Sequence, residues 1–266
     1  MESSKENLSK AERKALKAQR RSEKELIRNP DAPQEKVNIL CVRFGNKYGI
    51  EYVERLRNMI SRNITVDYEF HCLTDSNINL SGVNNIVQRN AGYPKGWWHK
   101  VHMFDPGLPL TGRILYFDLD VIVHNNIDKL TFYMNRDFIG IRDFNRKFHP
   151  SWKNLNSSVL AWNHGTISDI YTKFRENPGQ AQRLHGDQDW IFRCARDRLK
   201  FWPDEWIQSY KWEIRRKEDL ALIQGKRRFR EINNHVMPNP DCSVAVFHGD
   251  PNPADVQDRF VIDNWR

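Results

Sequence analysis

Apolar positions along the chain fall into short runs and helically spaced sets that alternate with one another. The run VNILCV, Val37 to Val42, is bounded by polar residues, as expected of a central strand. A loop, RFGNKYG, follows, and then Ile50, Val53, Leu56 and Ile60 recur at helical spacing. Val66 to Leu73, VDYEFHCL, alternates like a half-exposed strand, and Asn85 to Gln88 is a weaker third strand. GWWHKVHMF has helical periodicity through Trp97, Val101 and Phe104, and leads through Pro106 and Gly107 into the strand ILYFDLDVIV, Ile114 to Val123. Strands at Phe138 to Ile141 and Ser157 to Trp162, helices at Ser168 to Glu176 and Gly186 to Arg196, and a short strand VAVF ending at His248 complete the pattern. The β-α-β-α-β order predicts an α/β fold with a central, mostly parallel sheet flanked by helices. Ligands of such sheets bind beyond the carboxyl ends of the strands.

Asp118 and Asp120 interrupt the most apolar of these strands near its carboxyl end. Residues two apart on a strand share a face, so both carboxylates leave the sheet together. Two buried carboxylates in contact repel unless one is protonated or a cation neutralises them. The alternative is that the strand stops at Phe117 and the acids occupy a solvated turn. Asp-x-Asp alone does not decide between the two, for it recurs at Asp187 and Asp189.

Composition narrows the field. A chain of 266 residues with 39% hydrophobic content is long enough for one sizeable core, assigned to 37–266, behind a charged segment, 1–36, that is helical or disordered. No run of roughly 18 apolar residues is present and the first residues lack the apolar centre of a signal peptide, so a soluble, cytoplasmic protein without a transmembrane segment is expected. Cys41, Cys72, Cys194 and Cys242 show no C-x-x-C spacing and read as reduced core residues. A net charge of +8 favours an anionic partner. The charge concentrates in the N-terminal segment, where Ser9 to Glu12 forms a capping box, and in Lys211 to His235, which is either a solvated helix pair or a mobile basic flap over an anionic ligand.

Several blocks, in order, resemble the GT-A glycosyltransferases, most closely glycosyltransferase family 8, the glycogenin-like type. They are WWHKVHMF, GRILYFDLDVIVHNNIDKL, LNSSVLAWN, HGDQDW and VFHGDPNP, and the resemblance runs from about Val37 to Ala254. It implies a Rossmann-like GT-A single domain and a metal-dependent hexosyltransferase that takes a UDP-sugar, UDP-glucose or UDP-galactose, and retains the anomeric configuration. In the family the Asp pair holds a divalent cation, usually Mn²⁺, on the donor diphosphate. By matching position, Asp118 lies between ribose and metal, Asp120 ligates the metal and His248 completes the protein ligands; two oxygens and one imidazole suit Mn²⁺ or Mg²⁺.

The resemblance further implies that Lys100 counters diphosphate or sugar charge, that Arg43 to Tyr48 receives the nucleoside with Tyr48 stacking on the base, and that Gly249 belongs to the closing donor loop. Asn156 and Ser157 bind sugar hydroxyls; Asp187 orients the sugar and Gln188 lines its reacting face. With no identifiable carboxylate nucleophile, front-side attack is expected, with the leaving phosphate taking the acceptor's proton and slow donor hydrolysis when acceptor is absent. The acceptor, whether glycan, lipid, protein or small molecule, is not specified by the sequence. Two departures stand out. The family's closing loop carries a diphosphate-binding Lys, whereas His248 to Pro253 has none, and a basic group from Arg215 to Arg230 is the expected substitute. Trp202, Trp206, Tyr210 and Trp212 suit either an acceptor sugar or core packing.

Two other classes compete. FDLDVIV resembles the haloacid-dehalogenase phosphatase nucleophile, but that motif opens the first strand of its fold, and here two strand-helix units precede it. A basic nucleic-acid-binding protein would use the two cationic segments, yet no helix-turn-helix, zinc-finger or RNP signature accompanies them, and no nucleic-acid partner is expected.

Overall fold

The computed structural model describes residues 36–88, 96–132, 138–215, 220–223, 226–229 and 238–266. The N-terminal segment lies outside them. Strand β1 (Val37–Arg43) is central because it is apolar on both faces: Ile39 and Cys41 enter one core, Leu40 the other. It pairs in parallel with β2 (Tyr68–Thr74) and β4 (Arg113–Phe117), and β2 pairs in parallel with β3 (Asn84–Val87). Beyond β4 come β7 (Leu155–Asn163), the one antiparallel strand, then β6 (Phe138–Arg142) and β8 (Leu199–Phe201), giving the seven-stranded order β3-β2-β1-β4-β7-β6-β8.

Helix α1 (Ile50–Asn63) covers one face, burying Val53, Leu56, Met59 and Ile60 at the spacing read from the sequence. The other face is covered by the segment Gly96–Phe104, which is a 3₁₀ helix, and by α3 (Asp169–Glu176) and α5 (Asp187–Ala195); short α2 (Asp128–Phe132) and α4 (Pro178–Gln182) complete the set before α6 (Arg259–Asn264). All four cysteines are free, and Cys41, Cys72 and Cys242 are buried. No helix among the described residues is long and apolar enough to cross a membrane.

Two sequence expectations are corrected. Ile114 to Val123 is not one strand: β4 ends at Phe117, and after a turn through Leu119 and Asp120 the chain enters β5 (Val121–Val123) of a different sheet, ordered β5-β12-β9 with β9 (Ile207–Ser209) and β12 (Val244–Val246). A continuous buried strand offers two carboxylates no partners, and the break delivers them to a polar cleft instead. The described part of Lys211 to His235 is likewise no helix pair. It opens with a π-helical turn at Tyr210–Ile214, and further on β10 (Leu220–Ile223) and β11 (Lys226–Phe229) pair antiparallel.

The β6–β7 ladder shifts register between Gly140 and Ile141, whose partners are Leu160 and Asn156. This irregularity lies beside Ser157, whose hydroxyl reaches Lys100 and Asp187. Gly140 leaves room there for Leu155, whose Cδ1 would stand 2.4 Å from a Cβ and would have to move aside for one.

The second core carries a pH dependence. His102, 3% exposed, lies 6.1 Å from the ring of Phe44 and 5.7 Å from that of Tyr171. Burial, reinforced by His99 and opposed by Asp105, lowers its pKa from 6.5 to about 4. Between those values the unfolded chain takes up a proton that the folded chain refuses, so stability falls as pH falls. Urea unfolding midpoints should decline from about pH 6.5 toward pH 4, with this group contributing up to about 1.4 kcal/mol per pH unit, and decline less in His102→Phe. Parallel profiles for the two proteins would remove His102 as a cause.

Candidate active site

The carboxyl ends of β1 and β4, the amino end of β7 and the first turn of α5 meet at one cleft. Asp118 is held at the end of β4 by its backbone N–H, which donates to Ser158 O at 2.8 Å. Its carboxylate accepts from the Tyr116 hydroxyl at 2.5 Å and lies 2.8 Å from the Lys100 ammonium. Lys100 is also 3.3 Å from Asp187 Oδ2 and donates to Ser157 Oγ at 3.0 Å, while the Ser157 hydroxyl donates to Asp187 at 2.8 Å. Burial opposes the Lys100 charge, but Asp118 and Asp187 outweigh it and raise the pKa above the usual lysine value.

Asp120 adds a third carboxylate. The Tyr48 hydroxyl donates to its Oδ2 at 2.8 Å, and burial followed by the charge of Asp118 pushes its pKa up to about 6. The Tyr48 pKa is raised in turn by burial and by Asp120. Three carboxylates converge on the Lys100 ammonium, with Lys47 acting on Asp120 as well, and a cation bound among them would relieve the repulsion between Asp118 and Asp120.

His248 enters from the neighbouring sheet. Val246 pairs with Val121 across β12 and β5, and Phe247 N–H donates to Asp120 O at 3.1 Å, so the residue that follows comes alongside the Asp118–Asp120 turn. Its Nε2 is 2.7 Å from Ser209 Oγ, and its ring stacks on Phe144 at 5.1 Å and meets Trp212 edge-on at 4.4 Å. Burial, helped by Lys211, lowers its pKa to about 3, so the imidazole is neutral and able to offer a lone pair. Gly249 follows at φ +71°, a conformation that favours glycine.

Among the described residues no three His, Cys, Asp or Glu side chains are gathered as a ready-made metal cage. The donors still fit a divalent cation. Asp118 and Asp120 share one turn, burial and then the Asp118 charge raise the Asp120 pKa, and His248 just past the adjoining strand is a neutral imidazole; two carboxylates and an imidazole are donor types that suit such an ion.

The remaining sequence candidates divide. Gln188 is half-exposed on the first turn of α5, one residue past Asp187. Arg43 braces its own loop, its Nε donating to Tyr48 O at 3.1 Å. The Tyr48 ring packs on Tyr52 at 4.8 Å. Asn156 Oδ1 accepts from Ser158 N–H at 3.1 Å. Trp202, Trp206 and Tyr210 are buried in the first core, and Trp212 packs against His248. The exposed aromatic at the cleft is instead Trp97, 60% accessible, whose indole lies against Gly186 beside Asp187. Sequence reasoning missed Tyr116 and Ser209. Tyr116 had a signal, because it shares a strand face with Asp118.

A sheet of this order, with an Asp-x-Asp turn at the end of its fourth strand and a second small sheet behind it, is the GT-A fold of glycosyltransferases. Solved structures agree. The galactosyltransferase LgtC, in complex with donor and acceptor sugar analogues, is 15% identical over 81% of this chain and 88% of that one, with a TM-score of 0.52. The glycosyltransferase GlyE of Streptococcus pneumoniae TIGR4 is 15% identical over 87% of this chain and 60% of that one, TM-score 0.59. The bifunctional glycosyltransferase WbbM is 11% identical over 84% of this chain and 47% of that one, TM-score 0.54. At such identities the likeness is one of fold. No protein-family model and no curated protein sequence matches the chain.

Proposed function

We propose that the protein is a metal-dependent hexosyltransferase that uses a UDP-sugar, UDP-glucose or UDP-galactose, and retains the anomeric configuration. The observation that carries this reading is the Asp118–Asp120 turn, at the carboxyl end of the central sheet of a GT-A fold, facing Lys100 and Asp187. A divalent cation, Mn²⁺ or Mg²⁺, held by Asp118, Asp120 and His248, would neutralise the donor diphosphate and assist its departure. The chain's own groups do the positioning. Lys100 fixes the carboxylates of Asp118 and Asp187, and Ser157 orients Asp187 toward sugar hydroxyls. Asp187, already engaged by an ammonium and a hydroxyl, is a poor nucleophile, and Gln188 beside it is uncharged. That pairing favours front-side attack by the acceptor, with the leaving phosphate taking its proton.

Titration calorimetry with UDP, with and without Mn²⁺, tests the donor side, followed by UDP release from a panel of nucleotide sugars. UDP binding should need the cation and one UDP-hexose should be hydrolysed preferentially, with slow turnover in the absence of acceptor. Metal-independent binding, or no binding of any uridine nucleotide, would refute the assignment.

A further inference from the structure

Lys211 is a cation near this cleft that the site just described leaves unexplained. It belongs to the π-helical turn after β9, and β9 runs parallel to β12 with Ser209 opposite Val246. The two chains leave the sheet in step: Tyr210 stacks on Phe247 at 4.1 Å, and one residue further Lys211 reaches the His248–Asp250 turn. Its Nζ donates to Asp250 O at 3.1 Å and stands 3.4 Å from where a Cβ on Gly249 would be, so the ammonium lies folded over the Gly249 backbone. The stem passes along Trp212, with the ammonium 5.8 Å from the ring centre. Its charge helps to keep His248 neutral.

This ammonium has no carboxylate partner among the described residues, and its one hydrogen bond there is to a backbone carbonyl. The side chain is half-buried, and burial makes it harder to keep charged, with Asp250 only partly compensating. A half-buried ammonium over a turn at φ +71°, beside residues that would hold a divalent cation, is an arrangement that an anion touching both cations would complete. The turn itself, His248 to Pro253, contains no lysine or arginine.

We propose that Lys211 is the cation that receives the phosphate oxygens of the bound nucleotide, reaching the 248–253 turn from the β9 side. The inference rests on the nucleotide-sugar reading for its ligand, and on the Lys211–Gly249 geometry for its site. Gly249 is favoured as glycine by its backbone angle, φ +71°, which holds the turn beneath the ammonium.

The test is calorimetry of wild type, Lys211→Met and Lys211→Arg with three probes, UDP, pyrophosphate and uridine, at fixed Mn²⁺. Lys211→Met keeps the stem against Trp212 and removes the charge. It should weaken UDP and pyrophosphate about 10- to 100-fold and leave uridine unchanged, with Lys211→Arg recovering most of the loss. UDP bound as tightly by Lys211→Met as by wild type overturns the inference and leaves the donor reading standing. Pyrophosphate bound in a Lys211-dependent way, with no preference for UDP, supports the inference and overturns the donor reading. Failure of wild type to bind either probe overturns both. If Lys211→Met does not fold, the wild-type protein decides: UDP or pyrophosphate should protect Lys211 from acetylation, read by peptide mass spectrometry, and equal acetylation with and without them overturns the inference.

Discussion

Asp120→Asn is expected to abolish Mn²⁺-dependent UDP binding and to lower sugar transfer by roughly 10³-fold or more, while the protein stays as stable as wild type or becomes more stable. The two halves of this result come from one cause. Asp120 is buried beside Asp118, and its pKa is raised from 3.8 to about 6. Without a cation, keeping it ionised above pH 6 costs the fold stability that the unfolded chain does not lose, on the order of 1–3 kcal/mol. That penalty disappears as pH falls from 6 toward 3.8, and it disappears at every pH in the amide. Asparagine keeps an oxygen for the Tyr48 hydroxyl, so the contact that closes the Arg43–Tyr48 loop survives. What is lost is the negative charge that a cation needs. Thermal unfolding and UDP titration on the same sample give the answer: a variant that binds UDP with undiminished Mn²⁺ dependence would remove Asp120 from the ligand set, and a variant that unfolds early would make its role structural.

Much of this architecture was legible because long-range order here follows from local pattern. Val37 to Val42 is apolar without alternation because β1 is covered on both faces, and Ile50 to Ile60 is periodic because α1 is covered on one. The segment Gly96–Phe104 shows the limit: the apolar spacing of Trp97, Val101 and Phe104 correctly placed it against the sheet, but 3.0 and 3.6 residues per turn are hard to separate over nine residues. The strand break at Asp118 was invisible to hydrophobicity, since β4 and β5 are both apolar and merely belong to different sheets. Within the cleft, Lys100, Asp118, Ser157 and Asp187 come together from four elements, a convergence that only the resemblance to a family supplied in advance. Lys211 escaped because the substitute for an absent lysine was sought between Arg215 and Arg230. Its place beside the 248–253 turn depends on β9 and β12 running in parallel and in step, and strand pairing between residues 37 apart leaves no local trace.

Glu213→Ala should be the most destabilising single change near the site, costing about 3 kcal/mol, and it should also loosen His248. The Glu213 side chain is 3% exposed and the Arg146 side chain 4%, with 3.1 Å between Nη2 and Oε1. Arg146 retains Asp204 at 3.1 Å after the change, so the cost falls at the lower end of the range for a broken buried pair. The second Glu213 oxygen accepts from Ser209 N–H at 2.7 Å, and Ser209 Oγ contacts His248 Nε2. Arg146 in turn anchors the 3₁₀ turn Phe144–Lys147, whose Phe144 ring stacks on His248. One carboxylate therefore fixes both supports of the imidazole. A double variant, Glu213→Leu with Arg146→Met, separates stability from positioning. Replacing a buried pair by apolar side chains of similar size is close to neutral for folding, so urea unfolding should recover most of the wild-type midpoint. Mn²⁺ affinity should stay reduced, because Ser209 N–H has lost its acceptor and Phe144 its anchor. Recovery of both properties together would show that the ion pair serves the fold and that His248 is held by its aromatic neighbours alone.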